Sequence, residues 1–307
     1  MIMEEIQSKK NKGRTRIEKA DARNWASVTA MAVIGLYALT LMFLFFWGVF
    51  SSVRHQFDFF ENPFGFRRDY GWRFINYVRA FTELHVPVTV GEGRNAFFPE
   101  MFFWSLITSV FPTIVNVLTA AICSYTLAKY KFRLRAPIFN TLIIVMILPI
   151  IGSLPANLQL LRAIGVFDQL WWVIFSAGTV WASSWLILYA VYKSVSWDFA
   201  EAAFIDGAGH HRVFWSMMLP LTKTVIFVLI LLGFIGAWNN FQLTLIWLPS
   251  YPTLAFGLFY LQGTSGQDAW ATTQLAMAII SAVPAFILFM LFKKKMMGAL
   301  TMGGLKG

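Results

Sequence analysis

Residues 24–53 read NWASVTAMAVIGLYALTLMFLFFWGVFSSV, thirty consecutive residues without a charged side chain. A helix needs about 20 apolar residues to cross a hydrocarbon core about 30 Å thick, so this stretch can span a membrane. Further uncharged stretches lie at 101–128, 136–161, 169–192, 224–267 and 269–292. The sequence therefore predicts an all-α, polytopic membrane protein.

The number of spans depends on the 44 uncharged residues at 224–267. The turn-forming residues Pro249-Ser250-Tyr251-Pro252 interrupt this stretch, and the apolar part that follows is too short to cross a bilayer. We therefore expect one span at about 221–247, followed by a short interfacial or re-entrant segment around 253–262. The predicted total is six transmembrane helices.

The overall composition excludes several classes of protein. Hydrophobic residues make up 58% of the chain and charged residues only 13%, against about 25% charged residues in soluble domains. This balance excludes an ordinary cytosolic enzyme and a disordered chain. The net charge of +10 lies in short separated clusters, which does not fit a nucleic-acid interface. The single cysteine, Cys123, lies in an apolar stretch and is predicted to be a buried packing residue.

The distribution of basic residues orients the spans. Of the 25 Lys and Arg, 18 lie in the segments 1–23, 129–135, 193–223 and 293–307. Because basic residues accumulate in cytoplasmic loops, both termini are predicted to be cytoplasmic. The predicted segments are a basic leader (1–23), a first transmembrane helix (24–53), an extracytoplasmic loop (54–100), a five-helix transmembrane core (101–292) and a cytoplasmic tail (293–307).

The outer loop is rich in aromatic residues between positions 57 and 81, including Phe66 and Tyr70. Aromatic side chains of this kind commonly form a belt at the membrane interface. Docking of an extracytoplasmic binding protein is the alternative function of this stretch.

The cytoplasmic loop at 194–220 is more structured than most short inner loops. Ser194 or Ser196 can cap a helix in whose first turn Asp198 is favourable. Gly207 interrupts that helix, and a second short helix at about 210–218 leads to the next span. We therefore expect a helix–turn–helix at the membrane surface. Its aromatic and aliphatic side chains fit either docking to a partner protein or contact with lipid headgroups.

The same loop carries a family motif. Glu201-Ala202-Ala203 is followed by Gly207 and, after nine further residues, by Met217 and then Leu219-Pro220. This pattern resembles the EAA loop of type I ABC-importer permeases, with Met217 where Ile is usual. The stretch from Phe204 to Ala208, the sequence Trp238-Asn239-Asn240-Phe241 and the tail from Gly298 to Gly307 narrow the resemblance to carbohydrate-importer permeases similar to the smaller membrane subunit of the maltose transporter.

The resemblance implies a mechanism. Glu201 would pair with a basic residue in a groove of a cytoplasmic ATPase subunit, and Ala202 and Ala203 would allow close approach. Gly207 would make the turn and Pro220 would fix the start of the fifth span. The residues implied in coupling are Glu201, Ala202, Ala203, Asp206, Gly207, Leu219 and Pro220.

The resemblance also implies a membrane complex. The partners would be a second permease subunit, expected to be a homologue, two ABC ATPase subunits and an extracytoplasmic solute-binding protein. The substrate would be a sugar or oligosaccharide crossing the cytoplasmic membrane. ATP and Mg would be bound by the partner ATPase, with no cofactor on this chain.

Two absences in the sequence indicate that the energy for transport comes from another polypeptide. A Walker A loop needs Gly-Lys followed by Ser or Thr, and the chain contains no Gly-Lys dipeptide. Apart from Lys223 at the start of the fifth, the six predicted spans contain no Asp, Glu, Lys, Arg or His, whereas proton-coupled carriers usually place ionisable groups in the membrane. A self-sufficient secondary carrier or channel for a small neutral solute remains the alternative, since Na⁺ sites can use carbonyl and hydroxyl oxygens.

Polar uncharged side chains within the spans are candidates for the solute path. Trp238, Asn239, Asn240 and Asn157 combine amides for hydrogen bonds with an aromatic face for a sugar. Hydrogen bonding between helices is the alternative role. No metal site is expected, because the adjacent His210 and His211 diverge on a helix and no further ligands complete a shell.

Overall fold

The computed structural model describes residues 2–65, 71–88, 93–148, 152–178, 184–263 and 270–304, with side chains from Trp25 to Lys293 within these ranges. The chain is mostly helical, at 78%. It divides into two compact units, Met1–Phe74 and Ile75–Gly307.

The first unit consists of a long helix and a short segment folded onto its end. Helix α1 is Ile2–Ser52 and α2 is Gln56–Glu61. From Trp25 to Ser52, α1 is apolar and long enough to cross a membrane. Most of its large hydrophobic side chains are exposed, as expected of a helix that contacts lipid.

The segment after α1 is ordered by contacts with the end of that helix. The Trp47 Nε1 donates a hydrogen bond to the Pro63 carbonyl at 2.9 Å, and its ring lies against the rings of Phe59 and Phe64. The start of the predicted outer loop is therefore folded structure. Phe66 and Tyr70 of the predicted aromatic stretch lie outside the described residues.

The second unit contains the remaining elements. They are, in chain order, α3 Ile75–Thr82, β1 His85–Pro87, β2 Asn95–Phe97, α4 Phe98–Lys129, α5 Arg135–Ile147, α6 Leu154–Ala163, α7 Leu170–Ser176, α8 Ser184–Ser194, α9 Asp198–Ile205, α10 His210–Val213, α11 Leu219–Leu221, α12 Lys223–Trp238, α13 Leu254–Gly263 and α14 Ala271–Gly304. Two π-helical turns, Phe214–Met218 and Leu243–Trp247, precede α11 and follow α12.

A small β-hairpin departs from the predicted all-α class. Strands β1 and β2 pair antiparallel, with Val86 opposite Ala96. Arg94, just before β2, forms an ion pair with Glu100 in the first turn of α4 at 2.7 Å. The hairpin therefore leads directly into α4, where an acidic first-turn residue is favourable.

The predicted total of six transmembrane helices is not confirmed. Among the described residues, three helices are long and apolar enough to cross a membrane: Trp25–Ser52, Phe98–Lys129 and Ala271–Lys293. A fourth candidate is the pair His210–Leu221 and Lys223–Trp238, which is bent by 76°.

The predicted third and fourth spans are each divided into shorter helices. The stretch 136–161 forms α5 and α6, with Gly152 in the left-handed region at φ 79° and Pro155 in the first turn of α6. Because proline has no N–H to donate, it favours a helix start there. The stretch 169–192 forms α7 and α8. Pro149 lies outside the described residues.

Helix α13 lies at the predicted interfacial segment and packs against α4 and α14. The Leu254 N–H donates to the Ser105 hydroxyl at 2.7 Å. A Cβ added to Gly257 would lie 2.6 Å from the Met101 sulfur and 3.1 Å from the Met277 methyl. Close contact of this segment with the long helices therefore depends on a glycine at this position.

The buried core of the second unit forms two clusters. One joins the C-terminal half of α4 to α8, α9, α10 and α12, and it includes Trp185 and Tyr192, both fully buried. The other joins the N-terminal half of α4 to the hairpin, α13 and α14. Pro112 and Pro284 lie inside α4 and α14 without ending either helix.

Candidate functional site

The loop at 194–220 forms the predicted helix–turn–helix. The Asp198 N–H at the start of α9 donates to the Ser196 hydroxyl at 3.2 Å, so Ser196 supplies the oxygen at this helix start. After α9, Gly207 adopts φ 80° and its N–H donates to the Phe204 carbonyl at 3.0 Å. Glycine reaches this left-handed conformation without the steric cost of a Cβ.

The second part of the loop is less regular than predicted. Helix α10 ends at Val213 and continues as the π-helical turn. Pro220 lies in α11, and α12 then starts at Lys223, after the 76° bend. Pro220 has no N–H for the Ser216 carbonyl, which favours an irregular backbone here.

The two faces of α9 differ in burial. Ala200 is fully buried and Ala203 is 7% exposed, both within the core cluster that includes α4 and α8. Glu201, Ala202 and Ile205 are exposed on the opposite face, and Ile205 is 86% exposed. The motif alanines therefore have separate environments, because Ala203 packs inward while Ala202 lies beside Glu201 on the outer face.

The exposed face of α9 carries uncompensated negative charge. Among the described residues, none forms a hydrogen bond or ion pair with the carboxylate of Glu201 or Asp206. Both side chains are exposed, as is Gly207 between α9 and α10. An exposed isoleucine beside two free carboxylates is a surface that a basic groove with an apolar floor would complement.

An aromatic cluster attaches this loop to the end of α4. The Tyr130 hydroxyl is 2.9 Å from His210 Nδ1, and the Tyr130 ring lies edge-on to Trp197. Phe204 contacts both Trp197 and His210. The loop is thereby held to the end of α4 through Tyr130, which contacts both Trp197 and His210.

Some aromatic residues of the loop are packed against the protein and others are exposed. Trp197 and Phe204 are half-buried and Phe214 is buried. Phe199 and Trp215 are about half exposed, at 48% and 47%. The exposed members are available to a partner or to headgroups.

Of the residues predicted for the solute path, Trp238 has a packing position. It is 4% exposed, and its Nε1 donates to the Ser281 carbonyl of α14 at 2.9 Å. Its ring stacks on Phe234 and meets Phe102 edge-on. The single donor of its side chain is therefore engaged in joining α12 to α14.

The three amides predicted for the path are exposed. Asn239 and Asn240 follow the end of α12 and Asn157 lies in α6. The Asn239 Nδ2 donates to the Ile235 carbonyl at 2.8 Å, and the Asn240 Oδ1 accepts from the Leu243 N–H at 3.1 Å. Asn239 thus helps to end α12, Asn240 supports the turn that follows it, and both retain hydrogen-bonding capacity toward a ligand.

A polar group that the motif did not reveal lies midway along α4. The Asn116 Nδ2 donates to the Ala177 carbonyl at 2.8 Å, and its Oδ1 accepts from the Ser184 hydroxyl at 3.0 Å. Asn116 thus joins α4 to the end of α7 and the start of α8. The only signal in the sequence was an amide within an apolar stretch.

The described residues contain no group of three or more His, Cys, Asp or Glu that could hold a metal ion. The hydrogen bond between His210 and Tyr130 gives this histidine a role in joining the loop to α4.

Comparison with known proteins places these features in a family. Residues 116–296 match the family described as "Binding-protein-dependent transport system inner membrane component". The chain is 27% identical to the maltodextrin transport system permease protein MdxG of Bacillus subtilis, over 91% of this chain and 94% of that protein. It is 28% identical to the trehalose/maltose transport system permease protein MalG of Thermococcus litoralis, over 90% and 96%.

A solved structure shares the fold. It is described as the crystal structure of a bacterial ABC transporter involved in the import of the acidic polysaccharide alginate. The match has a TM-score of 0.64 and 20% identity, and it covers 87% of this chain and 95% of the other.

Proposed function

Because this chain belongs to the family of binding-protein-dependent transport system inner membrane components, we propose that it is the permease subunit of an ATP-driven importer for a sugar or oligosaccharide. The similarity to MdxG and MalG extends over at least 90% of each chain, so it covers the whole transmembrane layout. MdxG is named as a permease of a maltodextrin transport system and MalG as a permease of a trehalose/maltose transport system. The chain itself is a transporter subunit without catalytic activity.

The observation that carries the proposal is the exposed, unpaired carboxylate of Glu201 on α9. The opposite face of this helix is packed into the core through Ala200 and Ala203. In the proposed complex, α9 docks in a groove of a cytoplasmic ATPase subunit. An arginine there would form two parallel hydrogen bonds with this carboxylate. Ala202 leaves room for close approach, and Ile205 supplies apolar contact area.

The remaining motif residues would make the loop rigid, so that it moves as a unit with the ATPase. Gly207 turns the chain between α9 and α10, Leu219 and Pro220 lie at the bend before α12, and Asp206 adds a second negative charge to the docking face. Ala203 and the aromatic cluster would transmit ATPase movement to α4 and α12. Rigid-body rocking of the permease would then alternate access to the solute path.

The proposed complex has the composition expected from the family. It contains a second permease subunit that is a homologue of this chain, two ABC ATPase subunits that bind ATP and Mg, and an extracytoplasmic solute-binding protein. This chain would bind no cofactor. Its location would be the cytoplasmic membrane.

The proposed topology has six spans and both termini in the cytoplasm. In this arrangement α5 with α6 forms the third span, α7 with α8 the fourth, and α12 with the turn after it the fifth. Basic residues in the segments 129–135 and 193–223 support the orientation. The boundaries 1–23, 24–53, 54–100, 101–292 and 293–307 remain the proposed segments.

For the solute path we propose Asn239, Asn240 and Asn157, whose amides are exposed. Trp238 supports the path indirectly, since its ring and its Nε1 hold α12 against α14.

Glu201→Ala tests the coupling role. We expect sugar uptake to fall at least about tenfold, a loss of about 1.4 kcal/mol in coupling, while the variant still assembles in the membrane. The measurements are sugar uptake and ATP hydrolysis in the same proteoliposomes, together with retention of the ATPase on the purified permease.

Asp198→Ala is the matched control, because it removes the same charge from an exposed position on the same helix outside the motif. It should transport at close to the normal rate. Equal uptake by the Glu201→Ala variant and the unmodified complex would remove Glu201 from the mechanism. Uptake by the purified chain alone, driven by an ion gradient, would instead favour a secondary carrier.

A further inference from the structure

The middle of α4 borders a cavity of about 540 Å³, and no residue of the loop at 194–220 lines it. Its volume is within the range of about 300–1,000 Å³ typical of small-molecule sites. The polar lining consists of Thr113, Asn116, Ser184 and the backbone at Ala177. The apolar lining includes Ile187 and Leu232.

The lining suits a neutral solute with hydroxyl groups. None of its residues is ionisable. Asn116 uses one amide hydrogen and one lone pair of Oδ1 in its bonds to Ala177 and Ser184, which leaves one further donor and one further acceptor. Apolar side chains nearby can contact the C–H faces of a sugar ring.

The backbone beside the cavity is also unusual for membrane depth. Helix α7 ends at Ser176, and residues 177–178 form a turn. The Ala177 carbonyl points to Asn116 of α4. Irregular backbone within a bilayer is tolerated only where it is buried in protein or lines a water-filled cavity.

One face of α12 connects the cavity to the proposed path. Leu232, Gly236 and Asn239 are exposed and follow one another after four and three residues, so they share a helix face. Leu232 lines the cavity, and Asn239 is one of the amides proposed for the path. The exposed face therefore runs from the cavity to the end of α12.

We infer that this cavity is a sugar-binding subsite in the translocation path, with the Asn116 amide as its central hydrogen-bonding group. The inference rests on the proposed function and adds a site to it. Asn116 has two roles in this assignment, since it positions the end of α7 against α4 and offers its remaining donor and acceptor to hydroxyl groups of the solute.

Cysteine labelling of the intact complex tests the inference. Cys123 is first replaced by serine, and Asn116→Cys or Leu232→Cys is then introduced. Leu232→Cys leaves the Asn116 hydrogen bonds intact, so it stays informative if Asn116→Cys does not assemble. Ile114→Cys is the matched control, because Ile114 is 40% exposed and lies two residues away, on the opposite side of α4.

The variants are reconstituted in nanodiscs and treated with a charged, water-soluble methanethiosulfonate. We expect the two cavity positions to react at least about tenfold faster than the control, since the thiolate that reacts needs contact with water. Maltose, trehalose and a maltodextrin serve as probes, and whichever is imported should slow the labelling at the cavity positions but not at the control.

Each other result has a definite consequence. Labelling as slow as that of Ile114→Cys would place the cavity in lipid and overturn the inference. Fast labelling that no imported sugar slows would overturn the assignment of a binding subsite. A complex that imports none of the probes with ATP would contradict the proposed function, and the labelling rates would then still decide whether the cavity is open to water.

Discussion

The Arg54 side chain donates at least four hydrogen bonds, more than are seen for any other charged side chain among the residues described. It is fully buried, and Asp58 is 1% exposed, with 2.8 Å between the Arg54 Nε and Asp58 Oδ2. Its other nitrogens donate to the carbonyls of Asp58, Asn62 and Pro63 at 2.6–3.1 Å. The planar guanidinium thus joins three carbonyls of this turn, which also accept from the N–H groups of Asn62, Gly65 and Trp47. A buried pair of this kind is costly to break, because the remaining charge loses its compensation.

Asp58→Ala should therefore destabilise the protein by about 3–5 kcal/mol, the usual cost of leaving one member of a buried ion pair without its partner. The measurement is the thermal unfolding of the purified complex, followed by its tryptophan fluorescence.

Glu83→Ala is the control, because Arg79 and Glu83 have the same spacing but are 3.6 Å apart and 28% and 62% exposed. Removal of this pair should cost less than about 1 kcal/mol. Similar unfolding temperatures for the two variants would show that Arg54 and Asp58 do not hold the turn.

Contact between helices α4 and α12 depends on a small residue. A Cβ added to Gly233 would lie 2.9 Å from the Thr113 Cγ2, which is closer than carbon atoms normally approach. Thr113 is β-branched and 6% exposed, so it has little freedom to move away. Gly236, one turn later on α12, has no described atom within 4 Å of such a Cβ.

We expect Gly233→Ala to separate α4 from α12 and to destabilise the complex by about 1–3 kcal/mol, the usual cost of overpacking. Gly236→Ala should be neutral or stabilising by up to about 1 kcal/mol, since alanine is the better helix former. Thermal unfolding and sugar uptake are measured for both. Thr113→Ser removes the Cγ2 methyl, so adding it to Gly233→Ala should restore stability; no recovery would show that the two residues are not in contact.

The sequence predicted the long helices better than the divided ones. The uncharged stretch 101–128 lies within α4, and residues 271–292 of the stretch 269–292 lie within α14, because charged residues end a span wherever the chain leaves the membrane. The same argument failed to detect the break between α5 and α6. Hydropathy depends only on which residues are apolar and takes no account of backbone geometry. It therefore does not detect a break caused by a left-handed residue such as Gly152.

The candidate site was predictable to a similar extent. The helix–turn–helix followed from capping serines and from Gly207, which act through local chemistry. The burial of Ala203 and the packing of Trp238 depend on neighbouring helices, which a single sequence does not reveal. Asn116 illustrates the same limit, since its partners lie 61 and 68 residues away along the chain.

The number of spans, whether three, four or six, decides on which side of the membrane each loop lies. If only the long helices α1, α4 and α14 cross, residues 130–263 remain on one side of the membrane. If α12 also crosses, residues 130–221 still remain together on that side. Only the six-span topology places the connection between α6 and α7 on the opposite side from the connection between α4 and α5.

Ile164→Cys therefore distinguishes the topologies, since Ile164 is 54% exposed and lies in the connection between α6 and α7. In the Cys123→Ser background, a membrane-impermeant maleimide added to intact cells should label it, as it should label Phe64→Cys in the outer loop. Phe132→Cys, between α4 and α5, should react only after permeabilisation, because Lys131, Arg133 and Arg135 hold that loop in the cytoplasm. Protection of Ile164→Cys in intact cells, with Phe64→Cys labelled, would exclude six spans. It would also place the α5–α8 region on the cytoplasmic side, where its apolar surface would need a protein partner instead of lipid.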